Sequence, residues 1–226
     1  MSCAHHPSIS LLEAFAKGEL SACWSVPIAA HTEFCSKCRN LVHSLESALA
    51  LSELGGDEFS LPEEIGFDFD LDSIMSLPQQ EKPTLEGQAS DSVVEVNGQR
   101  ILVPRVIRHC YKDSLNWSPA LNKLSFASLG AESESRLYLI HIGAGATVPQ
   151  HSHRGNELTL VLDGQYTDAM GEYNTGDFVQ LGANHSHSPQ TAANEGCLVV
   201  SMVDAPLHFT EGWSRLINPL SQLFFR

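Results

Sequence analysis

The stretch that decides how the second half of this chain folds is Gly145-Ala-Thr-Val-Pro-Gln-His151-Ser-His153-Arg-Gly-Asn-Glu157-Leu-Thr-Leu-Val-Leu-Asp-Gly164. His151 and His153 are two residues apart, so on an extended chain both point to one face. Glu157 opens the apolar run Glu157–Leu162, which reads as a strand, and Gly164 is expected to turn it into a hairpin. A second segment runs from Gly176-Asp177-Phe178 to Asn184-His185-Ser186-His187-Ser188-Pro189. His187 lies eleven residues after Gly176 and is preferred as the fourth ligand, with His185 its nearest competitor. Three imidazoles and one carboxylate form a donor set that suits zinc, iron, manganese or nickel without choosing among them.

Outward from this stretch the grammar is that of short strands. Val93–Val96 meets Ile101–Val103 across an Asn97-Gly98 turn, and further strands are predicted at Arg136–Ile142, Phe178–Leu181 and Cys197–Val203. Strands at this spacing indicate a sandwich or a small barrel. The two motif halves, spread over about 45 residues, resemble the cupin superfamily. That resemblance implies an all-β barrel in which His151, His153, Glu157 and His187 hold one metal ion.

The first half reads as helix. Leu11, Leu12, Phe15 and Leu20 form an apolar stripe behind Ser8 or Ser10, either of which can cap the first turn, with Gly18 near its end. A second helix is expected from about Trp24 to His31. A third is expected over about Ser36 to Leu54, with Leu41, Leu45, Ala48 and Leu49 on one side. Across the junction of these two helices stands His31-Thr-Glu-Phe-Cys35-Ser-Lys-Cys38, an H-x3-C-x2-C spacing whose ligands can face one way. Two thiolates and an imidazole favour zinc, and the fourth ligand is expected from His5 or His6. A redox pair is the other use of C-x2-C, but it wants a βαβ context that this segment lacks. Cys3, Cys23, Cys110 and Cys197 carry no ligand spacing of their own.

The net charge of −14 is concentrated early. Between Arg39 and Lys82 no Lys or Arg occurs, while ten acidic residues accumulate from Glu46 to Glu81. Nucleic acid is repelled by such a surface and a basic protein is attracted, although most acidic runs only aid solubility. A short amphipathic piece, Phe69 to Leu77, follows the acidic stretch. The breaker-rich interval after it gives the division 1–80 helical, 81–91 linker and 92–226 barrel. No apolar run approaches the ~20 residues that span a bilayer. The first residues carry no basic and apolar leader, so the expected location is cytoplasmic.

The opening His5-His6, the Leu11–Gly18 helix and the H-x3-C-x2-C junction, joined to a cupin-like half, resemble the ChrR-type zinc-binding anti-sigma factors over essentially the whole chain. The resemblance implies zinc in each half, held by His6, His31, Cys35 and Cys38 in the helical domain and by the four barrel ligands in the other. It implies a 1:1 complex of the helical domain with an extracytoplasmic-function sigma factor, whose basic surface the acidic run would complement. It also implies release in response to oxidants such as singlet oxygen through the barrel, with no direct nucleic-acid or membrane binding and no enzymatic role. The Phe69–Leu77 piece would dock on the sigma factor or pack on its own domain. The alternative is a cupin metalloenzyme, of dioxygenase or isomerase type, with an accessory zinc domain. A third reading is a redox sensor of another partner, using Cys110 or Cys197, for both of which burial and inertness are the plainer expectation.

Overall fold

A computed structural model of the chain describes residues 3–54, 92–111, 114–119, 123–183 and 185–210. The linker 81–91, the Phe69–Leu77 piece and most of the acidic run lie outside them.

Ser8 holds an extended backbone ahead of α1 (Ile9–Ala16), which buries Leu11 and Leu12. The chain leaves this helix through Gly18 at φ 69, a left-handed position that glycine takes without strain. Helix α2 (Ala22–Phe34) is longer at both ends than the predicted 24–31 and runs through Pro27. Its extra first turn is capped from 110 residues away: the Glu132 carboxylate accepts the Ser21 hydroxyl and, at 3.0 Å, the Ala22 N–H. Such a distant cap leaves no local signal. Helix α3 (Ser36–Leu54) has the expected bounds. Its inner stripe, however, is Cys38, Val42, Leu45 and Leu49, while Leu41 and Ala48 are exposed. The buried Cys38 lies on the inner face and sets the phase, so Leu41 is turned outward.

Strands β1 (Val93–Val96) and β2 (Gln99–Leu102) form a hairpin about Asn97 and Gly98, both at positive φ (51 and 76). A helix not foreseen, α4 (Arg105–His109), follows Pro104. The Glu33 carboxylate of α2 accepts its Arg105 and Val106 N–H groups at 3.1 and 3.3 Å. After it come β3 (Ser118–Pro119), β4 (Leu124–Ala131), β5 (Arg136–Ile142), β6 (His151–His153), β7 (Glu157–Thr167), β8 (Glu172–Asn174), β9 (Phe178–Leu181), β10 (Ser186–His187), β11 (Cys197–Val203) and β12 (Leu207–Phe209). The large sheet has the order β3-β4-β5-β11-β7-β8, with β9 also paired to β7, and β10-β6-β12 form a smaller sheet. Every strand pairing is antiparallel.

Gly164 does not turn a hairpin, contrary to expectation. Strand β7 runs through it to Thr167, and the turn follows at Asp168–Gly171. Its φ is 72, and a Cβ there would stand 2.1 Å from the carbonyl oxygen of Gly196. Close backbone approach to the neighbouring strand is what demands glycine here.

Alternation along the central strands divides the interior in two. Leu158, Leu160 and Leu162 of β7, with Leu198, Val200 and Met202 of β11, join Leu11, Leu12, Ile28, Cys35, Cys38 and Val42 of the helices in one continuous core. Val161, Cys197 and Val199 belong to a second core with Ile142, Tyr166, Val179 and Leu181. Glu157 and Ser201 share that second parity. The helices therefore cover one face of the sheet, and the other face lines the barrel. Both faces being covered explains why β11 is buried at every position.

Candidate metal centres

The barrel cluster is built on three strands. His151 and His153 come from β6, Glu157 opens β7 and His187 lies on β10, opposite His151 in the strand register. All four are buried, and one ligand atom of each falls within 4.8 Å of the others. The Nε2 of His187 is 3.0 Å from Nε2 of His151 and 3.2 Å from Nε2 of His153. Glu157 Oε2 is 2.9 Å from His153 Nε2 and 3.5 Å from His187 Nε2. His185 does not join them: it is exposed, with its Nδ1 donating to the Gly182 carbonyl at 3.0 Å.

The supporting contacts aim these atoms at one point. His151 donates from Nδ1 to the Pro149 carbonyl at 2.8 Å, which leaves the Nε2 lone pair facing inward. His187 Nδ1 meets the fully buried Asp168 carboxylate at 3.2 Å, the outer partner that orients a metal-binding histidine and raises its basicity. The Ser201 hydroxyl donates to Glu157 Oε1 at 2.9 Å and leaves Oε2 for the cluster. The turn between His153 and Glu157 is fixed by Asp204, which accepts the N–H and side-chain amide of Asn156. Gly155 is needed there, since a Cβ would meet Asp204 at 1.9 Å.

The electrostatics match this reading. Burial drives His151 down to about 4, so it is neutral and can offer a lone pair at neutral pH. Burial also opposes a charge on Glu157, but His153 and His187 overcome it and hold the carboxyl well below its ordinary value. Burial likewise disfavours the His187 cation, yet Glu157 and Asp168 outweigh it and raise its pKa. Three imidazole nitrogens and a carboxylate oxygen thus converge on one point, with nitrogens 3.0–3.2 Å apart that can share a proton or a metal cation. The donor set therefore fits a divalent metal.

The helical cluster joins three elements. His6 precedes α1, His31 lies on the last turns of α2, Cys35 closes α2 and Cys38 is in the first turn of α3. His6 Nδ1 stands 3.5 Å from Cys35 Sγ and 3.3 Å from Cys38 Sγ. The Cys38 N–H points at Cys35 Sγ, 3.5 Å away, so Cys35 sits where a helix N-terminus favours negative charge. His31 is fully buried, and its Nδ1–H donates to the Gly176 carbonyl at 2.8 Å. Its Nε2 is buried with no hydrogen-bond partner, the condition of a nitrogen held for a ligand. Burial lowers His31 to about 4, while burial and the neighbouring Cys35 push Cys38 up to about 12. His5, the other candidate for fourth ligand, turns to Asp177, 3.5 Å from its ring. Two soft sulfurs and two imidazoles at this spacing fit a tetrahedral zinc ion.

Three comparisons bear on what this arrangement belongs to. The sequence pattern of the ChrR cupin-like domain matches residues 108–205. The anti-sigma-E factor ChrR of Cereibacter sphaeroides is 30% identical over 227 residues, covering all of both chains. This chain belongs to the ChrR family. In the crystal structure of Rhodobacter sphaeroides SigE in complex with the anti-sigma ChrR, a chain covered in full superposes on 90% of this one with a TM-score of 0.63 and 26% identity.

For this member of the ChrR family, the eight residues singled out in the sequence fall into two compact groups of four. Sequence reasoning missed the supporting residues. Asp168 and Ser201 lie well apart in sequence from His187 and Glu157, which they contact, and Asp177 reaches across to the N-terminal segment. Cys3 was also missed. It is buried beside Cys35, and burial together with that neighbour pushes its thiol up to about 11. Among the described residues every cysteine is a free thiol, and no helix is long and apolar enough to cross a membrane.

Proposed function

We propose that this chain is a cytoplasmic anti-sigma factor that binds one extracytoplasmic-function sigma factor through its helical half and keeps it from RNA polymerase. The observation that carries the reading is end-to-end similarity to an anti-sigma factor, joined to a His2Cys2 cluster at the meeting point of α1, α2 and α3. A zinc ion held by His6, His31, Cys35 and Cys38 would tie the segment before α1 to α2 and α3. The sigma-binding half is residues 1–80, the linker 81–91, and the barrel 92–226 is the sensing half. His151, His153, Glu157 and His187 hold the second ion there, also zinc, and oxidants such as singlet oxygen act through this half to release the sigma factor.

Support for the partner comes from the SigE complex of the related ChrR and from the acidic run, which complements a basic partner. The test is co-expression with each extracytoplasmic-function sigma factor of the same genome, followed by co-purification and zinc analysis. The reading predicts a 1:1 complex with one of them and two zinc ions per chain. Failure to bind any of them, together with turnover of a small substrate at the barrel, would replace it with the metalloenzyme reading.

A further inference from the structure

The two clusters lie on opposite sides of one sheet, yet the helical cluster is not supported by helices alone. The barrel turn at residues 174–178 reaches into it at three points. The Gly176 carbonyl accepts the Nδ1–H of His31 at 2.8 Å. A carbonyl oxygen can only accept, so this bond puts the proton on Nδ1 and leaves Nε2 as the nitrogen with a free lone pair. That Nε2 is buried with no hydrogen-bond partner.

Asp177 makes the second contact. It is 2% exposed and uses both oxygens. Oδ1 accepts the N–H groups of Ala4 and His5 at 2.7 and 3.0 Å, while Oδ2 takes the N–H of Asn174 at 3.0 Å and faces the His5 ring at 3.5 Å. The Phe178 N–H then donates to the His5 carbonyl at 3.2 Å. The backbone on either side of His5 is therefore clamped to the barrel, and His6 is the next residue. The third contact is steric. Gly176 has φ 93, and a Cβ on it would stand 2.9 Å from Cys3 Sγ and 3.2 Å from Phe34 Cβ.

We propose that the 174–178 turn of the barrel is the outer shell of the helical metal site: Gly176 selects the ligating nitrogen of His31, and Asp177 positions His6. The inference rests on the reading that an ion sits among His6, His31, Cys35 and Cys38. Outer partners of this kind change metal affinity by roughly 10–100-fold when removed. The turn leads directly into β9, which pairs with β7 so that Leu181 faces Glu157, a residue of the barrel cluster. The sensing half thus holds the site that organises the sigma-binding half, through one strand.

The probe is cobalt(II) bound to the full-length chain, because thiolate-to-cobalt absorption reports the cysteine-bearing site and is silent for the barrel site. Asp177→Ala should weaken that absorption in a chelator titration by on the order of tenfold or more. Asp177→Asn, which keeps an acceptor oxygen, should recover part of the loss. Equal affinities for wild type and Asp177→Ala would overturn the proposal. A wild type with no thiolate-to-cobalt absorption would instead overturn the metal reading beneath it. Should Asp177→Ala fail to fold, nitrogen-15 shifts of the His31 ring in the zinc-loaded wild type decide the matter. Protonated Nδ1 with metal on Nε2 is expected, and metal on Nδ1 would contradict it.

Discussion

The Nδ1–H of His31 donates to the carbonyl of Gly176 at 2.8 Å, so a residue of the helical cluster is bonded to the glycine that opens the second half of the barrel motif. Two motifs separated by 145 residues are one hydrogen bond apart in space. This contact ties each half to the other.

Binding of zinc at the helical site should weaken as pH falls. Burial and Cys35 hold Cys38 up to about 12, so each ion bound must displace a proton from that thiol throughout the neutral range. That thiol alone contributes on the order of tenfold in affinity per pH unit between 8 and 6. His31, lowered to about 4 by burial, is already neutral there and adds nothing. In the metal-free chain the sign for His31 follows from the same value. Its folded pKa lies below the ordinary ~6.5, so protonation favours the unfolded chain and stability falls from about pH 6.5 toward 4. Chelator competition across this range, with unfolding of the metal-free chain measured in parallel, checks both statements.

Asp168→Asn should loosen the barrel ion while leaving the helical one in place. The Asp168 carboxylate holds His187 Nδ1 at 3.2 Å and is fully buried. Losing its charge should reduce barrel affinity by roughly 10–100-fold. Zinc content after dialysis against a weak chelator should fall from two ions per chain toward one, with the thiolate-bound ion retained.

Ile28→Ala should destabilise the whole chain and not the helices alone. Ile28 is fully buried in the core that α2 shares with β7 and β11. Truncation of such a residue costs about 2–5 kcal/mol. Denaturant unfolding followed by helical signal and by tryptophan fluorescence should shift together, since one continuous core joins the helices to the sheet. Separate transitions would contradict that continuity.

Much of this was legible in the sequence, because ligand motifs are local. His151 and His153 share a strand face, Glu157 starts the next strand, and His31, Cys35 and Cys38 fall at i, i+4 and i+7 on either side of one helix junction. What was not legible depends on the chain meeting itself at long range. The Glu132 cap extended α2 beyond its predicted start, and α4 is capped by Glu33 of a distant helix. Gly164 read as a turn because glycine usually marks one, but the approach of Gly196 is what it serves. The phase of α3 followed the buried Cys38 in place of the apparent apolar stripe around Leu41. His187, and not His185, stands with the other three residues in space, beside Asp168, a residue with no place in either motif.

Cys197 should prove inert in the native protein. It is 1% exposed in the barrel interior, and burial raises its pKa, with Asp163 and Glu195 adding to the effect. A buried, protonated thiol is a poor nucleophile. Alkylation with a small maleimide before unfolding should leave Cys197 unmodified by mass spectrometry. Rapid labelling would restore it as an oxidant-sensing residue.

A metal-organised helical half should capture a sigma factor, and that capture should silence transcription. This is tested most directly by mixing the zinc-loaded chain with its co-purifying sigma factor and measuring transcription from the cognate promoter with RNA polymerase. Stoichiometric inhibition is expected with the wild type and none with Cys35→Ser, which removes one of the four residues of the helical cluster. Undiminished transcription with the wild type, or full inhibition by Cys35→Ser, would contradict it.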